Sequence, residues 1–383
     1  MTALFPHGLI VGKFYPPRRG HLYLVEAAAA RCREVAVLVM AARAETVPLA
    51  DRVAWLRAAC GGLPAVRIIG VPCDVPVDFG SRPVWAAQVA VMTAALEGNG
   101  LPAPGAVFSS EPYGDELAAR LGAEHVGVDP GRVRVPVSAS AIRADLGGCW
   151  DSLIGPAQAG LAARVVVLGA ESTGTSSVAE LLAAHYRQRG GAWSRTQCVS
   201  EAGRDYTVTK WQQARAAAAA AGQPEPPLDA LAWSCADFDA IAAEQTRRED
   251  EAAAVGSPLV ACDTDAFATS VWERRYLGVA ARGLQLWATS GLPRHAVYLV
   301  TSHEGVPWCD DGLREGDLAI RAAMTRWFTA ALTAAGHSWV LLTGSIDERL
   351  DLAVRVTDSI LDEQARFGPA ITDYAAASES LAL

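Results

Sequence analysis

Two glycine-containing turns carry side chains suited to holding a polyphosphate, each between a run of strand-forming residues and a helical run. The first is Gly12-Lys13-Phe14-Tyr15-Pro16-Pro17-Arg18-Arg19-Gly20-His21, which follows Gly8-Leu9-Ile10-Val11 and opens the stretch Leu22–Ala30. Backbone N–H groups at a helix start point toward an anion, and the helix field favours its charge. Gly20 is expected to let the backbone approach a nucleotide and His21 to donate to a phosphate oxygen, while Lys13 and Arg18 add cations and Gly12 and Phe14 frame the turn. Farther on, Val137-Ser138-Ala139-Ser140-Ala141-Ile142-Arg143 reads as another helix start, with Ser138, Ser140 and Arg143 spaced to grip the β- and γ-phosphates of the same ATP. These residues suit adenylyl transfer, in which a substrate phosphate oxygen attacks the α-phosphate and pyrophosphate leaves. That chemistry needs alignment and charge neutralisation and no covalent nucleophile.

The second turn is Gly169-Ala170-Glu171-Ser172-Thr173-Gly174-Thr175-Ser176-Ser177, after Arg164-Val165-Val166-Val167-Leu168. Its spacing is that of a P-loop, whose backbone N–H groups surround a phosphate and whose first helical hydroxyl, here Ser176, ligates Mg2+. Thr175 stands where that pattern has lysine, and losing such a charge-assisted bond costs roughly 1.5–3 kcal/mol unless another group replaces it. Leu259-Val260-Ala261-Cys262 reads as a buried strand ending in Asp263-Thr264-Asp265, which offers Asp263 as a second magnesium ligand and Asp265 as a substrate-facing carboxylate. Trp308-Cys309-Asp310-Asp311-Gly312-Leu313-Arg314 reads as a lid. In it Arg314 is the candidate for the charge missing at Thr175, Trp308 for stacking on a base and Asp311 for a substrate contact.

The elements around these turns alternate strand and helix, which implies parallel sheets with covering helices and ligands at the carboxyl ends of the strands. In the first half Glu34–Met40, Val66–Val71, Ala106–Ser109 and His125–Val128 read as strands, and Leu49–Ala59, Val84–Leu96 and Asp115–Leu121 as helices. The weak segment Cys149–Ala163 marks a boundary, giving domains over 1–155 and 163–367 and a disordered tail over 368–383. Strands Ala296–Val300 and Trp339–Leu342 and helices Ser176–Arg189, Asp317–Ala335 and Asp347–Phe367 complete the second half, where Ala214–Pro227 reads as a frayed helix and exposed loop. The fold class is therefore α/β, with two parallel-sheet domains, Rossmann-like in the first half and carrying the P-loop in the second.

A net charge of −9 argues against an extended nucleic-acid footprint. No window holds the roughly 18 consecutive apolar residues of a spanning helix, and the run Leu9-Ile10-Val11 is too short for a signal peptide, so a cytoplasmic protein without membrane partners is expected. The 8 scattered cysteines, with no Cys-x-x-Cys spacing, read as reduced, buried thiols and not as a zinc site.

Taken together, the Arg18–His21 and Ser138–Arg143 segments resemble the His-x-Gly-His and Ile-Ser-x-Thr-x-x-Arg signatures of the nucleotidyltransferase superfamily. Phe108-Ser109-Ser110-Glu111-Pro112-Tyr113-Gly114 is similar to its nicotinamide-nucleotide adenylyltransferases. Arg18 departs from that pattern, which has histidine there, and arginine cannot serve as a neutral imidazole. The second half resembles the ribosylnicotinamide kinase domain of bifunctional bacterial NAD-salvage proteins, through the P-loop, Glu201-Ala202-Gly203-Arg204, Asp263-Thr264-Asp265 with Thr269, and Trp308–Arg314. Enterobacterial members carry a helix-turn-helix module ahead of the first domain, which is not expected here. The resemblance implies ATP-dependent phosphorylation of nicotinamide riboside, then adenylyl transfer to the mononucleotide, giving NAD. In the kinase step Asp265 or Glu201 would position or deprotonate the attacking hydroxyl, and Arg204 would hold substrate or a carboxylate. A homo-oligomer is compatible with the sequence. Two other readings stay open: a nucleotide sensor with weakened turnover, suggested by both altered motifs, and the same chemistry on another pyridine or azole nucleoside.

Overall fold

Strands that are apolar at nearly every position must be covered on both faces, which is the habit of parallel sheets. Leu9, Ile10, Val35, Val37 and Leu38 are fully buried in the first half, as are Val165, Val166, Val167, Leu259 and Val260 in the second. The computed structural model describes residues 5–278, 295–309 and 317–368. The chain divides into two compact units, Met1–Leu161 with Gln364–Leu383, and Ala162–Glu363.

The first unit is a five-stranded parallel sheet of β1 (Phe5–Gly12), β2 (Cys32–Ala41), β3 (Val66–Pro72), β4 (Ala106–Ser109) and β5 (Glu124–Gly127), in the order β3-β2-β1-β4-β5. Its helices are α1 (Arg19–Ala29), α2 (Leu49–Ala59), α3 (Arg82–Gly98), α4 (Tyr113–Leu121), α5 (Ala139–Ala144) and α6 (Gly155–Leu161). The strand order reverses between β1 and β4, the switch point at which such sheets bind ligands. The turn beginning at Gly12 leaves β1 at that point, and the Ser109–Gly114 segment leaves β4 beside it. Cys149–Ala163, expected as a loose boundary, is folded. It forms a short 3-10 turn at Trp150–Ser152 and α6, and buries Trp150, Leu153, Ile154 and Ala157.

The second unit is a parallel sheet of β6 (Ala163–Gly169), β7 (Gln197–Val199), β8 (Leu259–Asp263), β9 (Val297–Thr301) and β10 (Trp339–Leu342), in the order β10-β9-β6-β8-β7. Helices α7 (Thr175–Arg187), α8 (Ala202–Ala220), α9 (Cys235–Ala254), α10 (Ala266–Leu277), α11 (Leu318–Ala334) and α12 (Ile346–Gln364) cover it. The pairing of Val167 with Asp263 brings the end of β8 beside the P-loop. Two expectations change. Ala214–Ala220 is the last part of one continuous helix, α8, and α12 stops at Gln364, short of Phe367. Of the tail expected as disordered, residues 369–383 lie outside the described residues. No described helix is long and apolar enough to cross a membrane.

Candidate functional site

In the first unit the turn after β1 is fastened from below by charge. Lys13 Nζ lies 2.6 Å from Glu45 Oε1, and Glu45 Oε2 lies 2.6 Å from Arg52 Nη1, which also donates to the Lys13 carbonyl at 3.0 Å. Glu45 and Arg52 are buried, so this ion pair is only weakly screened, and it ties the ammonium of Lys13 to a carboxylate. The second motif reaches the turn through Arg143, whose Nη1 donates to the Tyr15 carbonyl at 3.0 Å and whose Nη2 donates to Ser140 Oγ at 3.2 Å. Ser138 caps α5, its Oγ accepting from Ala141 N at 3.0 Å. Gly12, Lys13, Phe14, Arg18, Gly20, His21, Ser138, Ser140 and Arg143 thus all lie on the β1 turn or on the segment fastened to it.

His21 sits in the first turn of α1. Its Nδ1 accepts the backbone N–H of Arg18 at 3.2 Å, so the proton of the neutral ring resides on Nε2, available as a donor. Burial, with the nearby charges of Arg18 and Arg132, holds the ring well below the usual histidine range, so it is a neutral donor at pH 7. Arg18 is buried, 7% exposed, and its Nε has no partner among the described residues. Its guanidinium lies over Gly20, where an added Cβ would come within 1.8 Å of Nη1. A side chain at this position would displace the arginine crossing it, a constraint not apparent from the sequence.

Beside this turn is an apolar pocket lined by Met40, Phe79, Trp85, Met92, Tyr113 and Leu117. Tyr113 donates its hydroxyl to the Val11 carbonyl at 2.9 Å, across the switch point, and burial pushes its phenol up to about 12. The Ser109–Gly114 segment that carries it is latched from β5: His125 Nε2 is 2.9 Å from Ser109 Oγ, and His125 Nδ1 is 2.7 Å from Asp115 Oδ1. Glu111 pairs with Arg132.

In the second unit the P-loop leaves β6 and enters α7 through Gly174, whose φ of +85° favours glycine. Thr173 Oγ1 bonds the Ala170 carbonyl at 2.7 Å and Thr301 Oγ1 at 2.7 Å, closing the turn. Ser176 Oγ donates to Asp263 Oδ2 at 2.5 Å. Burial pushes the Asp263 carboxyl up, against the hydroxyls of Ser176 and Thr175 and the charge of Arg204, which pull it down. Magnesium keeps several waters and takes one or two carboxylates together with substrate phosphates, so this hydroxyl–carboxylate pair beside the P-loop fits it. No group of three acidic, histidine or cysteine side chains forms a metal cage among the described residues.

One cavity joins Gly169, Ser172 and Thr175 of the loop to Glu201, Arg204 and Asp263. Its lining is also aromatic, with Trp233 packed 5.1 Å from Tyr276 and 5.5 Å from Phe238, centroid to centroid. Sequence reading missed these rings because they come from three separate segments, one of them a loop. It placed the stacking role on Trp308 instead, but Trp308 lies outside this cavity, its ring 6.0 Å from the Arg321 guanidinium. Asp265 also needs correction. It is fully buried, caps α10 through Ala268 N at 2.8 Å, accepts the Tyr298 hydroxyl at 2.8 Å and lies 3.3 Å from His295, so it offers no oxygen to the cavity. Among the carboxylates expected to act on substrate, Glu201 faces the cavity. Asp311 and Arg314 lie outside the described residues. All 8 cysteines are free thiols, and Cys309 is exposed, so burial does not hold for every one.

A family profile described as an AAA domain matches residues 164–349. The trifunctional NAD biosynthesis/regulator protein NadR of Salmonella typhimurium is 24% identical over 323 residues, covering 80% of this chain and 71% of that protein. Its Escherichia coli K12 counterpart is 25% identical over 325 residues, with the same coverage. A crystal structure of NadR protein in complex with NAD and AMP-PNP shares the fold at a TM-score of 0.61 and 18% identity, covering 94% of this chain and 96% of that one. One in complex with NR gives 0.61 and 17%, covering 93% and 96%. By sequence the chain is thus similar to the NadR proteins, and it shares their fold.

Proposed function

We propose that this chain salvages nicotinamide riboside in two ATP-dependent steps, phosphorylation in the second unit and adenylyl transfer in the first. The observation that carries the reading is one cavity of the second unit whose lining joins the P-loop and Asp263, the partner of Ser176, to a group of aromatic rings. A triphosphate and a flat-ringed nucleoside are complementary to those two sets of residues. The ribose 5′-oxygen attacks the γ-phosphorus, the bond from that phosphorus to the β–γ bridging oxygen breaks, and ADP leaves. Glu201 takes the hydroxyl proton, and Arg204 holds the ribose or the transferring group. Ser176 and Asp263 would hold magnesium, which would supply neutralisation of the phosphate charge.

In the first unit a phosphate oxygen of nicotinamide mononucleotide attacks the α-phosphorus of a second ATP, and pyrophosphate leaves, giving NAD. His21 donates from Nε2, and Arg18, Ser138, Ser140 and Arg143 hold the tail of the ATP, so that charge built up in the transition state meets fixed donors. The apolar pocket at Trp85 and Tyr113 receives the pyridine ring.

Incubating the full chain with ATP, Mg2+ and nicotinamide riboside, then separating products by chromatography, tests the proposal: mononucleotide and NAD should both accumulate. Neither product, from a protein that binds ATP, would replace this reading with that of a nucleotide sensor.

A further inference from the structure

The P-loop lacks its lysine, and the chain has lysine only at positions 13 and 210. Lys13 belongs to the other unit and pairs with Glu45, and Lys210 lies 2.7 Å from Asp237. The loop is instead gripped from outside by two arginines. Arg321, on α11, donates from Nε to the Glu171 carbonyl at 3.1 Å and from Nη2 to the Ser172 carbonyl at 2.6 Å, while its Nη1 reaches the Val306 carbonyl at 2.9 Å. Arg349, on α12, donates to the carbonyls of Thr173 at 2.8 Å, Ser302 at 3.1 Å and Gly344 at 2.9 Å.

A trans peptide points its C=O and its N–H in opposite directions. Turning the carbonyls of Glu171, Ser172 and Thr173 outward therefore turns the N–H groups of Ser172, Thr173 and Gly174 inward. Among the described residues, none of these N–H groups donates to a backbone carbonyl. Successive inward N–H groups form an anion-binding concavity. Both guanidinium groups are buried, at 6% and 2% exposure, so their charge is weakly screened and polarises the peptides they hold.

We infer that Arg321 and Arg349 are positioning residues for the triphosphate, orienting the P-loop amides and delivering from behind the loop the positive potential that a P-loop lysine brings from the front. The inference rests on the kinase reading and extends it to residues that do not touch the reacting atoms.

Phosphorylation of nicotinamide riboside by the full chain, measured against MgATP concentration, tests it with wild type, Arg321→Lys, Thr175→Lys and the double variant. Arg321→Lys keeps a charge but loses the planar fork, so the KM for ATP should rise about tenfold while the KM for the nucleoside stays constant. Thr175→Lys should lower the KM for ATP far more in the Arg321→Lys background than in wild type. An unchanged KM for ATP in Arg321→Lys, or an equal effect of Thr175→Lys in both backgrounds, would overturn the inference. Should Arg321→Lys not fold, Arg349→Lys carries the same comparison. A wild type that does not phosphorylate the nucleoside defeats the kinase reading. The inference is then read from MgATP affinity by calorimetry, with Arg143→Ala disabling the first unit's site, and an unaltered dissociation constant overturns it.

Discussion

Arg18 occupies the position of the first histidine of the adenylyltransferase motif as a buried guanidinium whose Nε has no partner among the described residues. Leaving a buried donor unpaired is costly, and an arriving phosphate removes that cost. Because Gly20 lies directly under this guanidinium, Gly20→Ala should push Arg18 from its seat and lower NAD formation from supplied mononucleotide about tenfold. Adding Arg18→His, which shortens the obstructing side chain, should recover part of the loss. A Gly20→Ala variant with wild-type kinetics would show that Arg18 moves aside without consequence. The places of His21, Ser176 and Asp263 in the fold were legible in the sequence because each stands at a fixed offset from a strand end or helix start. Asp265 was not, because a carboxylate two residues past a strand reads equally as a substrate ligand or a helix cap, and only the packing of Tyr298 and His295 against it decides.

At the scale of elements, α8 and α9 form part of the wall of the P-loop cavity, and Asp237 joins them. It caps α9 through Ser234 N at 2.7 Å and receives Lys210 Nζ at 2.7 Å and the Tyr206 hydroxyl at 2.8 Å from α8. Burial tends to push its carboxyl up, but Lys210, Ser234 and Tyr206 outweigh it and lower the group to about 2, from 3.8. A depressed acid stabilises the fold above its unfolded value and loses that contribution as pH falls through its folded value, here between pH 3.8 and about 2. Asp237→Asn should therefore cost about 1–2 kcal/mol at pH 7, allowing for solvent screening of Lys210, and the difference from wild type in denaturant titrations should vanish toward pH 2. A difference that persists there would mean that shape and not charge holds the node. These helices were the poorest-read part of the sequence. Ala202 is the only buried residue of α8, so no apolar stripe announces it, and β7 spans only Gln197–Val199. By contrast β1, β6 and β8 bury whole apolar runs; the bounds of β6 and β8 were read to within one residue, and those of β1 to within three.

For the molecule as a whole, each unit has its own parallel sheet and its own core, and each candidate site sits where loops leave the carboxyl ends of strands. Alternation of strand and helix made that class legible, whereas the strand orders depend on crossovers that local sequence does not encode. Separate cores imply separable chemistry. Asp263→Asn should abolish phosphorylation of nicotinamide riboside and leave NAD formation from supplied mononucleotide intact, as followed by product chromatography, and loss of both activities would show that the units depend on each other. The arginine grip on the P-loop has a consequence for biosynthesis. Arg321 and Arg349 lie 150 and 176 residues beyond the carbonyls of Glu171 and Thr173 that they hold. A nascent chain leaves the ribosome with its glycine turn made early and both anchors made late, so a fragment ending before Ile346 carries the whole nucleotide motif without the Arg349 half of its support. The support of the P-loop is thus completed only once α12 has been made and has docked.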